Sequence, residues 1–210
     1  MNYLAHIYLA GDSEESVLGN IMGDFVKGSI GDGFHPEIEK GIRTHRKVDV
    51  FTDSHEIFRA SKKLMSPERR RFSGVIIDLA FDHLLSKNWA SYSDTGLEGF
   101  IRKTYTLLDR RKEVLPERFR MFLPRMIEED WLGSYRTLEG TGIALDRISE
   151  RLRRRFHREN KLRGAIEEIE SNYKELDNNF NMFFPELISF VEDIRSAEQT
   201  GSGFSLVRGG

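Results

Sequence analysis

Val75–Trp89 reads VIIDLAFDHLLSKNW, one of the most apolar stretches of the chain, yet it holds Asp78, Asp82 and His83. At about 100° per residue, Asp78 and Asp82 lie one helical turn apart and share a face with Val75, Leu85 and Trp89. Ile76 and Leu79 flank His83 on the neighbouring arc. The acids therefore project from an apolar surface, not from a solvated stripe. An ionised carboxylate removed from water without a partner costs several kcal/mol or is neutralised by a shifted pKa. The reading is a buried helix whose polar groups must be compensated from elsewhere in the fold.

The same periodicity recurs along the chain, and strand signals are scarce. Ser13 predicts the cap of a helix to about Lys27, with Val17, Leu18, Ile21, Met22 and Phe25 apolar. Gly28, Gly31, Gly33 and Pro36 mark a connection, and Asp32-Gly33 falls in that loop rather than in a hairpin. A second helix is expected from Pro36 to about Phe58. A third is expected to start at Ser66-Pro67-Glu68 and reach Trp89. Further helices fit Gly96–Glu113, Pro116–Trp131, Gly142–His157 and Leu162–Arg195. The expectation is one all-α domain of about seven or eight helices over residues 1–196. The small, polar segment 197–210 is expected to be a disordered tail.

The 210 residues suffice for one sizeable domain; 39% are hydrophobic and 31% charged, with a net charge of −2. That balance is not that of a polycation made for nucleic acid. With no cysteine, disulfides, thiolate zinc sites and cysteine nucleophiles are excluded. No apolar run approaches the roughly 20 residues that cross a bilayer. MNYLAHIYLAG lacks the basic start of a signal peptide. A cytoplasmic protein is expected.

Two further helices repeat the oddity of Val75–Trp89. His45, Asp49 and Thr52 fall on one face with Ile38 and Ile42, and a His and an Asp at i, i+4 can share a metal or a hydrogen bond. Asn20 and Asp24 share a face with Val17 and Ile21. Gly19 and Gly23 lie beside them, permitting close approach of another backbone at the expense of helix propensity. Taken singly, a buried Asp serves equally well as a helix cap or an arginine partner, and a lone His such as His6 as a core residue. Recurrence on three apolar helices favours one divalent cation that satisfies them together. Carboxylate-rich ligation with imidazole suits Mn²⁺, Mg²⁺ or Fe²⁺.

Basic runs also stand out: Arg69–Arg71, Arg110–Lys112, and Arg151 to Arg158. On a helix, Arg151, Arg154, Arg155 and Arg158 nearly share a face while Arg153 points away. Such a stripe is either a solvated face or a docking surface for an acidic macromolecule.

MNYLAHIYLA, LGNIMGDFVKG, GIRTHRKVDVFTDSH and RRFSGVIIDLAFDHLLSKNW occur in this order. With them the chain, over about residues 1–190, resembles the acyl carrier protein phosphodiesterases. The resemblance implies removal of the 4′-phosphopantetheine arm from holo-acyl carrier protein, and a helical fold related to the HD phosphohydrolases with Mn²⁺ or another divalent metal. The HD signature itself is absent, because no His is followed by Asp and Asp82-His83 is the reversed order. Within the shared motifs the resemblance implies Asp24, His45, Asp78 and Asp82, with His6 in addition, as metal ligands. Asp49 or His83 would orient water or move protons. Lys27, Arg43 and Arg46 are candidate phosphate holders. An acidic acyl carrier protein, and neither nucleic acid nor membrane, would be the partner of the arginine stripe. Alternatives are a metal-dependent nucleotide or nucleotide-pyrophosphate hydrolase, and a non-catalytic helical module that binds an acidic partner.

Overall fold

The computed structural model describes residues 1–30 and 33–201, and among them it contains twelve α-helices and no strand. They are α1 (Tyr3–Tyr8), α2 (Glu14–Met22), α3 (Pro36–Ser54), α4 (Glu56–Lys63), α5 (Ser73–Lys87) and α6 (Leu97–Arg110). There follow α7 (Glu117–Arg120), α8 (Leu123–Glu128), α9 (Trp131–Ser134), α10 (Leu138–Phe156), α11 (Ile166–Ser171) and α12 (Tyr173–Gly201). The all-α expectation holds, with more and shorter helices than the periodicity predicts.

Helix α5 is the axis. From Ile76 to Ser86 all but Asp78 are buried, and the helix packs against α1, α4, α10 and α12. A helix apolar all round needs neighbours on every side. Phe58 of α4 and Phe180, Phe183 and Phe184 of α12 gather around Phe81 of α5 on one side, their rings meeting edge-on or tilted at 5.5–6.1 Å, with Phe180 and Phe184 stacked at 5.0 Å.

The extra helices arise where tertiary contacts interrupt a local pattern. The second expected helix breaks at His55, whose extended backbone (ψ 135°) ends α3 while its side chain caps Ile57 N–H of α4. The expected Pro116–Trp131 helix is three short ones, the last preceded by Asp130 at φ 43°. Helix α5 begins at Ser73, not at Ser66. Ser66 is held instead by Glu168 of α11, which accepts from its backbone N–H (2.9 Å) and hydroxyl (2.6 Å), and Arg69 reaches the same carboxylate at 3.1 Å. The last helix runs past Ala197 to Gly201. Residues 202–210 of the expected disordered tail, and Gly31 and Asp32 of the expected loop, lie outside the described residues.

Helices α2 and α3 cross at the glycines. A Cβ on Gly19 would stand 2.2 Å from the Ile38 carbonyl oxygen and 2.8 Å from Gly41 Cα, so neither helix can carry a side chain there. This crossing brings the end of α2 against the middle of α3.

Candidate metal centre

Asp78, Asp82 and His83 are compensated by three different partners. The Asp82 carboxylate, fully buried, accepts from the backbone N–H groups of Leu4 (2.9 Å) and Ala5 (3.2 Å). Those are orphan donors in the first turn of α1, whose own cap residue, Asn2, makes no capping bond. Asp82 is thus a helix cap supplied from across the core. Asp78 pairs with the Met1 amine at 2.9 Å. His83 meets the Tyr135 carbonyl through Nδ1 (2.8 Å) and the Tyr173 hydroxyl through Nε2 (3.1 Å). Asp78, Asp82 and His83, expected at the metal or in proton transfer, thus spend their polar atoms on the chain terminus, a helix end and two tyrosines. Burial pushes the Asp82 carboxyl up to about 7, against the two backbone bonds that favour its charged form. Burial likewise raises Asp78, with the Met1 amine opposing.

Anchored by Asp82, α1 delivers His6 to α3. The His6 and His45 rings stack at 3.8 Å with 18° between planes. His6 Nε2 lies 3.1 Å from Asp49 Oδ1, and His45 Nε2 lies 3.2 Å from Asp49 Oδ2 and 3.6 Å from Asp24 Oδ1. His45 and Asp49 meet because they are one turn apart on α3. Asp24, just past α2, joins them because Gly23 leaves room: a Cβ there would fall 2.2 Å from His45 Cγ. Both imidazoles are buried, whereas Asp49 and Asp24 are open to the surface.

Donor atoms of His6, His45 and Asp49 all lie within 4.8 Å of one another. His6, His45 and Asp49 would hold one cation once their donor atoms drew together to bonding distance. The electrostatics agree. Burial and the neighbouring charge of His45 hold His6 down at about 4. Burial opposes a charge on His45, but Asp24 and Asp49 outweigh it and raise the ring to about 9. Burial would raise Asp49, yet its bonds to His45 and His6 hold it well below the usual range; the His45 bond likewise lowers Asp24. Two ionised carboxylates around one imidazolium leave the cluster short of positive charge, and a cation held there would displace the His45 proton. His6 Nδ1 and His45 Nδ1 are buried without a hydrogen bond, so the rings' polar interactions are directed at the acids. A nitrogen–oxygen donor set without sulfur fits a divalent cation.

Two cavities meet at this cluster. One of about 310 Å³ is lined by carboxylates, Asp24, Asp49, Asp53 and Asp78 among them, and by the buried Thr52. The other is a groove of about 670 Å³ running between Tyr3, the α8–α9 region and α10. Asn2, Asp24, Ile148 and Arg151 line both.

The expected phosphate holders point elsewhere. Arg43 pairs with Glu39 at 2.6 Å, and Arg46 donates to the carbonyls of Gly28 (2.8 Å) and Val26 (2.6 Å). Lys27 is exposed and lines neither cavity. The arginine stripe is shorter than expected, because α10 ends at Phe156 with His157 at φ 49°, leaving Arg158 beyond the helix. Arg154 pairs with Glu150, and Arg155 lies over the Phe156 ring. Arg151 faces the cavities, a role its place in an arginine run conceals. The Tyr135 and Tyr173 partners of His83 carry no signal in the sequence. Helix α1 carries one, the cap-type residue Asn2 before an apolar turn.

The family model for acyl carrier protein phosphodiesterase matches residues 1–187. Similar proteins include the acyl carrier protein phosphodiesterases of Serratia proteamaculans (32% identical, covering 92% of this chain and 98% of that one) and Pectobacterium atrosepticum (33%, 91% and 98%). That of Photorhabdus laumondii is 32% identical over 92% of this chain and 96% of its own length. No solved structure matches significantly. With the match spanning α1, the glycine crossing and the His–Asp cluster, this chain belongs to the acyl carrier protein phosphodiesterase family.

Proposed function

We propose that this protein hydrolyses the phosphodiester between 4′-phosphopantetheine and the serine of holo-acyl carrier protein, releasing apo-protein. In this reading His6, His45, Asp49 and Asp24 hold a divalent cation, Mn²⁺ in the first place and Mg²⁺ or Fe²⁺ otherwise. The observation that carries it is the convergence of two buried imidazoles and two open carboxylates at the junction of two cavities. When bound, the cation would neutralise the phosphodiester's charge and make water nucleophilic near neutral pH. Asp49 reaches both imidazoles and faces the cavity, so its open side can orient water or accept a proton. His6 and His45, stacked and buried, keep the carboxylates in register and exclude water from behind. Asp82 and Asp78 act at one remove by anchoring the segment that carries His6.

The partner in this reading is a folded carrier protein in the cytoplasm, not nucleic acid. None of the described helices is long and apolar enough to cross a membrane. Incubation with holo-acyl carrier protein and Mn²⁺, followed by intact mass, tests the reading. Loss of the phosphopantetheine mass, abolished by chelator and restored by Mn²⁺, is the expected result. An unchanged mass, or full turnover after verified metal removal, overturns it.

A further inference from the structure

The groove of about 670 Å³ has a chemistry unlike the acidic cavity beside it. One wall is apolar: Phe122 and Trp131 stack at 5.6 Å with 12° between planes, and Ile143 and Ile148 of α10 line the groove beside them. Ile143 is 46% exposed, a large apolar side chain left open by the fold. Four arginines also line the groove. Arg125 and Arg147 are paired with Glu129 and Arg154 with Glu150, at 2.6, 2.9 and 2.7 Å. Arg151 is different. It has no ion-pair or hydrogen-bond partner among the described residues and stands where the groove meets the acidic cavity at Asp24.

An unpaired guanidinium beside a metal-type cluster matches a phosphate, which takes two parallel N–H bonds from arginine. The acidic cavity repels a second anion. An amphipathic, flexible chain ending in a thiol or thioester fits a groove that is apolar along one wall and polar along the other. A volume of this size suits a small-molecule arm and is too small for a folded carrier domain.

We propose that the groove seats the phosphopantetheine arm, with Arg151 on its phosphate and the strip of Phe122, Trp131, Ile143 and Ile148 along the arm and any acyl chain it carries. This rests on the activity proposed above and assigns the arm, rather than the carrier protein, to the groove. Arg151 is then a phosphate-positioning residue, and Ile143 helps to set acyl-chain specificity.

Two substitutions and two readouts test it. Arg151→Ala breaks no ion pair, so the melting temperature should hold while kcat/KM for holo-acyl carrier protein falls roughly 100-fold. Arg151→Lys should recover part of the loss. Ile143→Glu places a charge against the chain and should raise KM for octanoyl-acyl carrier protein at least about tenfold. Independently of turnover, free 4′-phosphopantetheine should quench Trp131 fluorescence in the wild type and fail to do so in Ile143→Glu; a Trp131→Phe control removes the buried Trp89 signal from question. Wild-type kinetics in both Arg151→Ala and Ile143→Glu, or no quenching by the free arm, would overturn the groove assignment while leaving the activity standing. A wild-type protein that leaves holo-acyl carrier protein intact yet is quenched by the arm would overturn the activity and keep the groove.

Discussion

Replacing Gly23 by alanine adds one methyl group where an imidazole already stands. The new Cβ would lie 2.2 Å from His45 Cγ, 2.3 Å from Cδ2 and 2.7 Å from Cβ. Carbon atoms settle at about 3.5 Å or more, so the ring must retreat by roughly 1.3 Å or turn away. His45 Nε2 is 3.2 Å from Asp49 and 3.6 Å from Asp24, and its ring stacks on His6 at 3.8 Å. A shift of that size disrupts all three relations together. Functional constellations tolerate displacements of about 0.5 Å, and a misplacement of about 1 Å can lower turnover by roughly 100-fold. The fold should suffer less. Overpacking costs about 1–3 kcal/mol, offset by up to about 1 kcal/mol because Gly23 already has right-handed helical geometry, φ −51° and ψ −39°. The assays are Mn²⁺ affinity by calorimetry, turnover on holo-acyl carrier protein and thermal midpoint on one preparation. Gly74→Ala, with nothing within 4 Å of its new Cβ, is the control that should keep Mn²⁺ affinity and turnover and raise the midpoint slightly through helix propensity. Gly19→Ala meets backbone rather than a ring, so it should lower stability most. Wild-type Mn²⁺ affinity and turnover in folded Gly23→Ala would refute the idea that the α2–α3 contact sets the position of His45.

Asp82→Ala should destabilise the protein by about 2–6 kcal/mol in urea unfolding, because two buried backbone donors lose their acceptor at 1–3 kcal/mol each; unchanged stability would dismiss the capping role. With a folded-state pKa raised to about 7, Asp82 binds a proton more readily in the folded than in the unfolded chain. Its contribution is therefore full below about pH 4 and lost as pH rises through 7. Wild type should lose stability relative to Asp82→Asn across that window, with a slope of up to about 1.4 kcal/mol per pH unit, and a flat or rising difference would contradict the sign. His83→Ala should lower stability by about 1–3 kcal/mol through its lost tyrosine contacts while turnover per folded molecule is kept. His6→Ala should do the reverse, weakening Mn²⁺ binding in a folded protein. Swapped outcomes would move His83 into the chemistry and His6 out of it.

Periodicity alone determined the helical class, because spacing at 3.6 residues per turn is a local property written along each segment. It also placed His45 and Asp49 together, since i, i+4 residues on one helix must be neighbours. Gly19 and Gly23 were legible as a close-approach signal for a similar reason: glycines in a helix need a packing reason. What periodicity states is a face, never the partner that covers it. The face carrying Asp78 and Asp82 meets the N-terminal segment, so Asp82 caps α1 and Asp78 pairs with the Met1 amine while still lining the acidic cavity with Asp24. His6 is weak on sequence grounds because α1 is too short to show a repeating pattern, and it enters the cluster because α1, capped by Asp82, packs where its ring stacks on His45. Arg46 and Arg151 look alike as charges on helices. Only the packing turns one toward the carbonyls of Val26 and Gly28 and leaves the other free at the mouth of the groove.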